Sequence, residues 1–397
     1  MSLLTNRLRL LGRMNWWLTA AVLLLLGIGV AFIYSAGFVS DEQRMSGPFR
    51  KQIQWAFVGI LCYGGIAMFD YRRLRSISWW AYAGTLALLL LVLIVGEKRF
   101  GARRWLDLAF LSVQPSEFAK LSTIMVLAGL LSRPGQSLRG FLPVLSLLVM
   151  AGIPMFLIYK EPDLGTAMIF VPMIAAMMFA GGISMRAILT LAGIGLSIAA
   201  FVGACLFLPE KMGASPETCE RVAKLSLLSD YQRDRIMVYF KHDKDPLGAG
   251  WNKMQSEISV GSGGVWGKGF LKGTQNILGF LPRSVSPTDF IYAVIAEEKG
   301  FAGSVVVLML FGIVILCGTQ AAMLSDDKMG RVLCMGIVGM IFCHVFINIA
   351  MTVGIMPITG VPLPLLSYGG SFMVVMMSAL GIIQSVYIRS QRAPMLP

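Results

Sequence analysis

The residues of this chain that could do chemistry fall in four stretches where ionisable or irregular sequence interrupts apolar sequence. An ionisable group at membrane depth is costly, so each is either paired or functional. The first stretch is Gly101-Ala-Arg-Arg-Trp105 with Gln114-Pro-Ser-Glu-Phe-Ala-Lys120. Arg103 and Arg104 suit a phosphate or diphosphate, which guanidinium groups grip in a fork. Glu117 and Lys120 are three apart, so they share a helix face and can pair or serve the same anion. The second stretch is Lys160-Glu-Pro-Asp-Leu-Gly-Thr-Ala167, where Asp163 is either a helix-start acid favoured by the dipole or a site carboxylate.

The third stretch runs from Leu281 through Thr288-Asp-Phe-Ile-Tyr-Ala-Val-Ile-Ala-Glu-Glu-Lys299. Asp289 has two readings. With Ser286 as N-cap and Pro287 at the first helical position, it would complete a near capping box. Alternatively it is a carboxylate at the mouth of a membrane cavity, able to take a proton from a hydroxyl. These residues alone do not choose. Glu297, Glu298 and Lys299 then break the apolar run, which predicts a half-helix over 289–299. The fourth stretch, Asn348 to Ser371, carries Pro357, Pro362 and Pro364, which forbid a regular helix. Irregular apolar backbone must be buried in protein or line a cavity, which Ser367 would then face.

The elements that hold these residues are set by composition. The 397 residues are 56% hydrophobic with mean hydropathy +0.73, and only 14% are charged. Soluble domains carry about 25% charged residues, so a water-soluble globule and a disordered chain are both excluded. Apolar runs of membrane-crossing length occur at 16–36, 53–69, 78–96, 115–132, 141–159, 164–182, 186–208, 301–318, 331–353 and 370–388, predicting an all-α polytopic protein of ten spans in a single domain over 1–397. The first run follows Arg7, Arg9 and Arg13 but is too long for a signal segment, and is read as a retained helix.

The net charge is +13. With both termini cytoplasmic, thirteen Lys and Arg fall on the inner side against eight in the short outer loops, so the surplus orients the chain and is not a nucleic-acid footprint. Half of the outer exceptions are Lys98, Arg99, Arg103 and Arg104, a basic cluster that asks for an anionic partner.

A large outer loop spans about 209–288. It opens with a charged, helix-like stretch, Arg221 to Lys241, and passes into a glycine-rich segment, Val260 to Gln275, with Lys268 among six glycines in thirteen residues. That density suggests either backbone lying close to a ligand or membrane surface, or a flexible loop. Cys205 and Cys219 could bridge. No His/Cys cluster has metal-ligand spacing.

In this order on ten spans, Gly-Ala-Arg-Arg-Trp, Gln-Pro-Ser-Glu-Phe-Ala-Lys, Glu-Pro-Asp-Leu-Gly-Thr-Ala, Gly-Ser-Gly-Gly-Val-Trp-Gly-Lys-Gly, Thr-Asp-Phe-Ile-Tyr-Ala-Val-Ile-Ala-Glu-Glu and the proline-rich turn ending Ser-Tyr-Gly-Gly-Ser closely resemble the SEDS family (shape, elongation, division and sporulation). Tyr231-Gln-Arg-Asp-Arg235, Asp245-Pro-Leu-Gly-Ala-Gly-Trp251 and Thr359-Gly-Val-Pro-Leu-Pro364 point to its RodA branch rather than its FtsW branch. The resemblance implies polymerisation of peptidoglycan strands from lipid II on the outer face of the cytoplasmic (inner) membrane, by inversion, with Asp289 as catalytic base. Arg103, Arg104, Glu117 and Lys120 would serve the undecaprenyl diphosphate leaving group. Lys268 and Ser367 would add substrate contacts, and Asp163, Thr288, Gln275 and Glu298 would support them. Implied partners are a class B penicillin-binding protein, other proteins of the cell-elongation complex and membrane lipid. No cofactor is implied, although a divalent cation bridging diphosphate and carboxylate is conceivable. Members commonly carry Pro-Glu-x-His-Thr-Asp, whereas here Pro282 is followed by Arg-Ser-Val-Ser-Pro before Thr288-Asp289, so no role carries over to the two missing groups. The rival functions are a lipid II flippase, a non-catalytic scaffold for a cell-wall synthase and, within the family, a division role.

Overall fold

A computed structural model describes residues 10–38, 47–99, 102–108, 111–133, 141–240, 248–282 and 284–390; at 98, 99, 102, 108, 111, 141 and 249 it describes backbone only. Arg7, Arg9, Arg44, Arg139 and Arg392, which contributed to the orientation argument, and the side chains of Lys98 and Arg99 lie outside the described residues.

All ten apolar runs are helical. The helices are α1 (Trp16–Ala36), α2 (Gly47–Met68), α3 (Leu74–Val95), α4 (Pro115–Leu131), α5 (Phe141–Lys160), α6 (Leu164–Ala180), α7 (Met185–Lys211), α12 (Ile291–Leu324), α13 (Lys328–Thr352) and α14 (Gly370–Ser390), with α8 to α11 in the large loop. Their starts follow local chemistry. Asn15, Asp163, Ser184 and Asp327 each cap a helix by accepting a backbone N–H three residues on. Seven of the ten are long and apolar enough to cross a membrane. The others are α4 and α6, each 17 residues, and α2, which carries Arg50, Lys51 and Gln52 within its first two turns. Of those seven, α13 and α14 are the most enclosed and α7 the least. The core forms where α14 packs on α2, and α13 on α6, α12 and α4.

Two features depart from the expected all-α fold. Residues 97–113 form an antiparallel sheet of β1 (Glu97–Arg99), β2 (Ala102–Leu108) and β3 (Leu111–Val113). Side chains alternate across a strand, so Arg103 and Arg104 point to opposite faces. The large loop is also mostly structured. α8 (Pro216–Lys224) and α9 (Asp230–Phe240) replace the single charged helix, interrupted where Leu227 takes φ 60°. α10 (Ala249–Ser262) extends helix into the start of the glycine-rich segment, and α11 (Thr274–Ile277) is a single turn. Cys205 and Cys219 are not bridged.

The remaining glycine-rich backbone lies against other backbone, neither flexible nor held open for a ligand. Phe301 N donates to Gly264 O at 2.8 Å, Ala302 N to Val265 O at 3.0 Å, Lys268 N to Glu297 O at 3.0 Å and Gly269 N to Glu298 O at 3.0 Å. α12 is non-helical at Gly300 (φ 66°, ψ −161°), which divides it into the expected half-helix, 291–299, and a long helix. That conformation is open essentially to glycine alone. A Cβ on Gly300 would also sit 2.4 Å from Gly267 N and 2.6 Å from Val265 O, both backbone atoms that cannot yield. Gly300→Ala is therefore expected to cost about 1–3 kcal/mol from conformation alone, with the overlap in addition. Thermal unfolding in detergent checks this; an unchanged midpoint would refute it.

Candidate functional site

The site is built where the N-terminal ends of α4, α6 and α12 meet α9 and the proline-rich turn between α13 and α14. Residues 284–290 are a run of turns closed by Asp289 N to Val285 O at 3.0 Å and Phe290 N to Val285 O at 3.2 Å. The helix starts only at Ile291, its N-cap position Phe290 supplies no side-chain bond, and Ser286 Oγ has no hydrogen-bond partner. The capping-box reading of Ser286 and Asp289 is thereby corrected: the Asp289 carboxylate is not used as a cap.

Asp289 is instead held by its backbone. Asn348 Nδ2 donates to Asp289 O at 2.9 Å and to Val361 O at 2.8 Å, joining the turn that carries Asp289 to the proline-rich turn. Ser367 fastens the same joint, its Oγ donating to Thr288 O at 2.5 Å and accepting from Leu363 N at 2.8 Å. Tyr368 N adds a bond to Pro287 O at 2.8 Å.

Arg104 reaches across from β2. Its Nε donates to Glu161 O at 3.3 Å, its Nη2 donates to Pro162 O, and its Nη1 lies 3.9 Å from Asp163 Oδ1. Asp163 caps α6 through Thr166 N at 3.1 Å, so it combines the helix-start role with an ion pair. Tyr231 and Arg235, one turn apart on α9, complete the wall. The Arg235 guanidinium lies 4.6 Å and that of Arg104 5.7 Å from the Tyr231 ring centre, both cation–π contacts. Arg235 Nη1 also donates to Ile358 O at 3.2 Å.

These residues border a cavity of about 240 Å³ whose other walls include Leu164, Met168, Ile236, Met356, Pro357 and Ile358. Its charged lining residues are Arg104 and Arg235, and no carboxylate lines it. Such a cavity fits a ligand with an anionic head and an apolar body. Asp289 lies beside it. Burial pushes the Asp289 carboxyl above its usual range, and the Arg235 and Arg104 charges and the Thr288 side chain pull it partly back.

The other sequence candidates lie elsewhere. Glu117 Oε2 pairs with Lys120 Nζ at 2.8 Å, and Lys120 Nζ meets His344 Nε2 at 2.7 Å. His344 Nδ1 is 3.1 Å from Pro362 O, so this buried chain of groups ends on the proline-rich turn. Neither Glu117 nor Lys120 lines the cavity. Arg103 is exposed, its Nη1 3.5 Å from Leu93 O and Ile94 O at the end of α3, as the strand alternation requires. Lys268 and Glu298 and the backbone of Gln275 belong to the glycine-rich joint. Lys268 Nζ bonds Glu297 Oε1 at 2.7 Å, Gln275 N donates to the same oxygen at 3.0 Å, and Glu298 accepts from Leu271 N at 3.1 Å and from Ser35 Oγ. Glu297 lies six residues beyond the first residue of α12, about 9 Å along a helix.

Sequence reasoning missed Arg235, Tyr231, Asn348, His344 and Glu161. The i, i+4 spacing of Tyr231 and Arg235 was the available signal for the first two. Glu161 is fully buried and neither of its carboxylate oxygens has a hydrogen-bond partner. Burial, with Asp163 nearby, raises its pKa to about 9 against the Arg104 charge. The folded protein thus keeps a proton that the unfolded chain releases near the ordinary pKa of 4.5. Stability is full below that value and declines as pH rises towards 9, by at most about 1.4 kcal/mol per unit. Glu161→Gln is expected to flatten this decline in thermal unfolding between pH 5 and 9; an unchanged slope would count against it.

The family of FtsW, RodA and SpoVE, described as cell cycle proteins, matches residues 16–392. The chain is 38% identical over 361 residues to the peptidoglycan glycosyltransferase MrdB of Escherichia coli strain K12, across 89% of this chain and 90% of that one. It is 32% identical over 437 residues to the peptidoglycan glycosyltransferase RodA of Treponema pallidum strain Nichols, across 96% and 99%. Among solved structures, a chain from a peptidoglycan synthase complex that coordinates polymerization and crosslinking is similar at TM-score 0.73 and 27% identity, over 96% of this chain and 99% of that one. The rod shape determining protein RodA of Thermus thermophilus shares the fold at TM-score 0.65 and 24% identity, over 96% and 98%.

Proposed function

The chain belongs to the FtsW, RodA and SpoVE family of cell cycle proteins, the SEDS family, and from that premise we propose that it is a peptidoglycan glycosyltransferase that polymerises lipid II. The observation that carries the proposal is the pairing of an apolar cavity lined by two guanidinium groups with an adjoining carboxylate that caps no helix. Lipid II has the matching chemistry: a polyprenyl tail, a diphosphate and a sugar.

Asp289 takes the proton of the acceptor 4-hydroxyl as that oxygen attacks the anomeric carbon of the donor. The carbon–oxygen bond to the diphosphate breaks, its electron pair leaves with undecaprenyl diphosphate, and the configuration inverts. Arg104 offsets charge on the leaving group. Asn348 and Ser367 hold the turn that carries Asp289, and Asp163 orients Arg104. Glu117 and Lys120 act through His344 on the proline-rich turn. Lys268, Gln275 and Glu298 brace the half-helix behind the base. Arg103 supports the sheet edge from outside the cavity.

The protein is integral to the membrane, with seven helices long and apolar enough to cross it. We assign ten spans, adding α2, α4 and α6, with both termini cytoplasmic and the cavity on the outer side of the inner membrane. The RodA-like motifs support a role in elongation with a class B penicillin-binding protein as partner. The test is polymer formation by the purified chain supplied with lipid II alone. A ladder of glycan strands is the expected result. Transfer of labelled lipid II between leaflets without polymer would point to a transporter, and neither activity to a scaffold.

A further inference from the structure

Gly360 lies in the proline-rich turn with φ +74°, beside both reactive groups of the site. A Cβ built on it would sit 3.4 Å from Asp289 Oδ2 and 3.4 Å from Arg235 Nη1. Base and guanidinium therefore both border the gap that a side chain at Gly360 would fill. Among the described residues the Arg235 guanidinium makes one hydrogen bond, to Ile358 O, which fixes its orientation on the Tyr231 ring.

An inverting displacement needs its base and its leaving-group cation on opposite sides of one carbon. We infer that the gap over Gly360 is where the anomeric carbon reacts, and that Arg235, carried by the loop helix α9, is a catalytic residue that holds the departing diphosphate opposite Asp289. The inference rests on the glycosyltransferase reading and deepens it. The acceptor oxygen loses its proton to Asp289 and forms the new bond to carbon. The bond from that carbon to the diphosphate oxygen breaks, and the electron pair and negative charge pass towards Arg235 and Arg104. Arg235 and Arg104 both contact the Tyr231 ring and line the same cavity, so the charge is met by a pair of cations.

Placement on α9 has a consequence for the large loop. It contributes a reacting-centre residue, so the site is complete only when α9 is docked on the proline-rich turn through Arg235 and through Tyr239, whose hydroxyl donates to Ile355 O at 2.7 Å.

The test compares the full-length chain with Arg235→Ala, Arg235→Lys and Gly360→Ala, each in detergent with purified lipid II. Removing one preorganised charge donor costs about 100- to 1,000-fold in kcat. That loss is expected for Arg235→Ala, with the thermal midpoint kept, a partial return in Arg235→Lys, and recovery of Arg235→Ala by added guanidinium ion. The methyl of Gly360→Ala would be in ordinary van der Waals contact with both groups, at a φ of +74° that L residues rarely adopt, so the variant is expected to lower the thermal midpoint and to lose polymerisation beyond what that fall explains, by filling the gap. Arg235→Ala polymerising within about threefold of the parent would overturn the inference and leave the glycosyltransferase reading standing. So would a loss in Arg235→Ala that follows a matching fall in the thermal midpoint and is not restored by guanidinium, which would make Arg235 a strut. A parent chain that makes no polymer would overturn the reading and the inference together.

Discussion

Asp289→Asn is expected to abolish glycan strand formation from lipid II while leaving the protein folded. The amide keeps the shape of the carboxylate and removes its basicity, and a positioned base contributes about 10²- to 10⁴-fold. The backbone carbonyl of Asp289, which Asn348 holds, is untouched by the change. Stability moves the other way. Burial raises the Asp289 pKa, so ionising this group opposes folding: its contribution is most favourable below the unfolded-state pKa and is lost as pH rises through the folded one. At neutral pH the variant should therefore be no less stable than the parent. The parent's kcat/KM should also fall as pH drops through the raised pKa, because only the ionised carboxylate accepts the proton. Full polymerisation by Asp289→Asn, measured beside its thermal midpoint, would sink the assignment.

The second large effect belongs to the buried ion pair. Lys120 is 0% exposed and Glu117 1%. Taking away Lys120 leaves the carboxylate of Glu117 in the helix core without its cation, which costs about 3–5 kcal/mol. Lys120→Met should lower the thermal midpoint sharply. Glu117→Gln combined with Lys120→Met should recover most of the loss, since neutralising both partners removes the orphaned charge. An unshifted midpoint in Lys120→Met would show the pair to be unimportant for folding. The double variant also separates two roles. If it is stable and still polymerises, the Lys120–His344 contact is dispensable to the site; if it is stable and inactive, polymerisation depends on that contact with the proline-rich turn.

Apolar run length was enough to locate the ten helices, and the charged break at Glu297 to Lys299 was enough to foresee the half-helix, because both are local signals. What sequence could not supply was direction. Arg103 and Arg104 read as one cluster, yet strand pairing sends them to opposite faces, and only Arg104 enters the cavity. Glu117 and Lys120 paired as their spacing suggested, but their burial away from the cavity depends on α13, more than 200 positions further on, which brings His344. Arg235 stood in a motif noted only as a branch marker, since its proximity to Asp289 is created by the docking of α9 on a distant turn. The glycine density of 261–273 correctly signalled close approach; the approaching surface is this chain's own backbone. Asp289 was the clearest case of ambiguity, because a cap and a base ask for the same residue at the same place, and only the late start of α12 separates them.

The joint between that glycine-rich segment and the half-helix sets a pattern of mutational tolerance. Cβ atoms on Gly263 and Gly267 would approach Ala296 O to 2.1 Å and Glu298 O to 2.2 Å, so the contact is made of main chain on both sides. Side-chain drift at Val265 and Trp266, both exposed, leaves those main-chain bonds in place. The joint therefore lets its surface diverge freely between descendants while Gly263, Gly267 and Gly300 are held fixed, a pattern that would otherwise be mistaken for a ligand-binding signature.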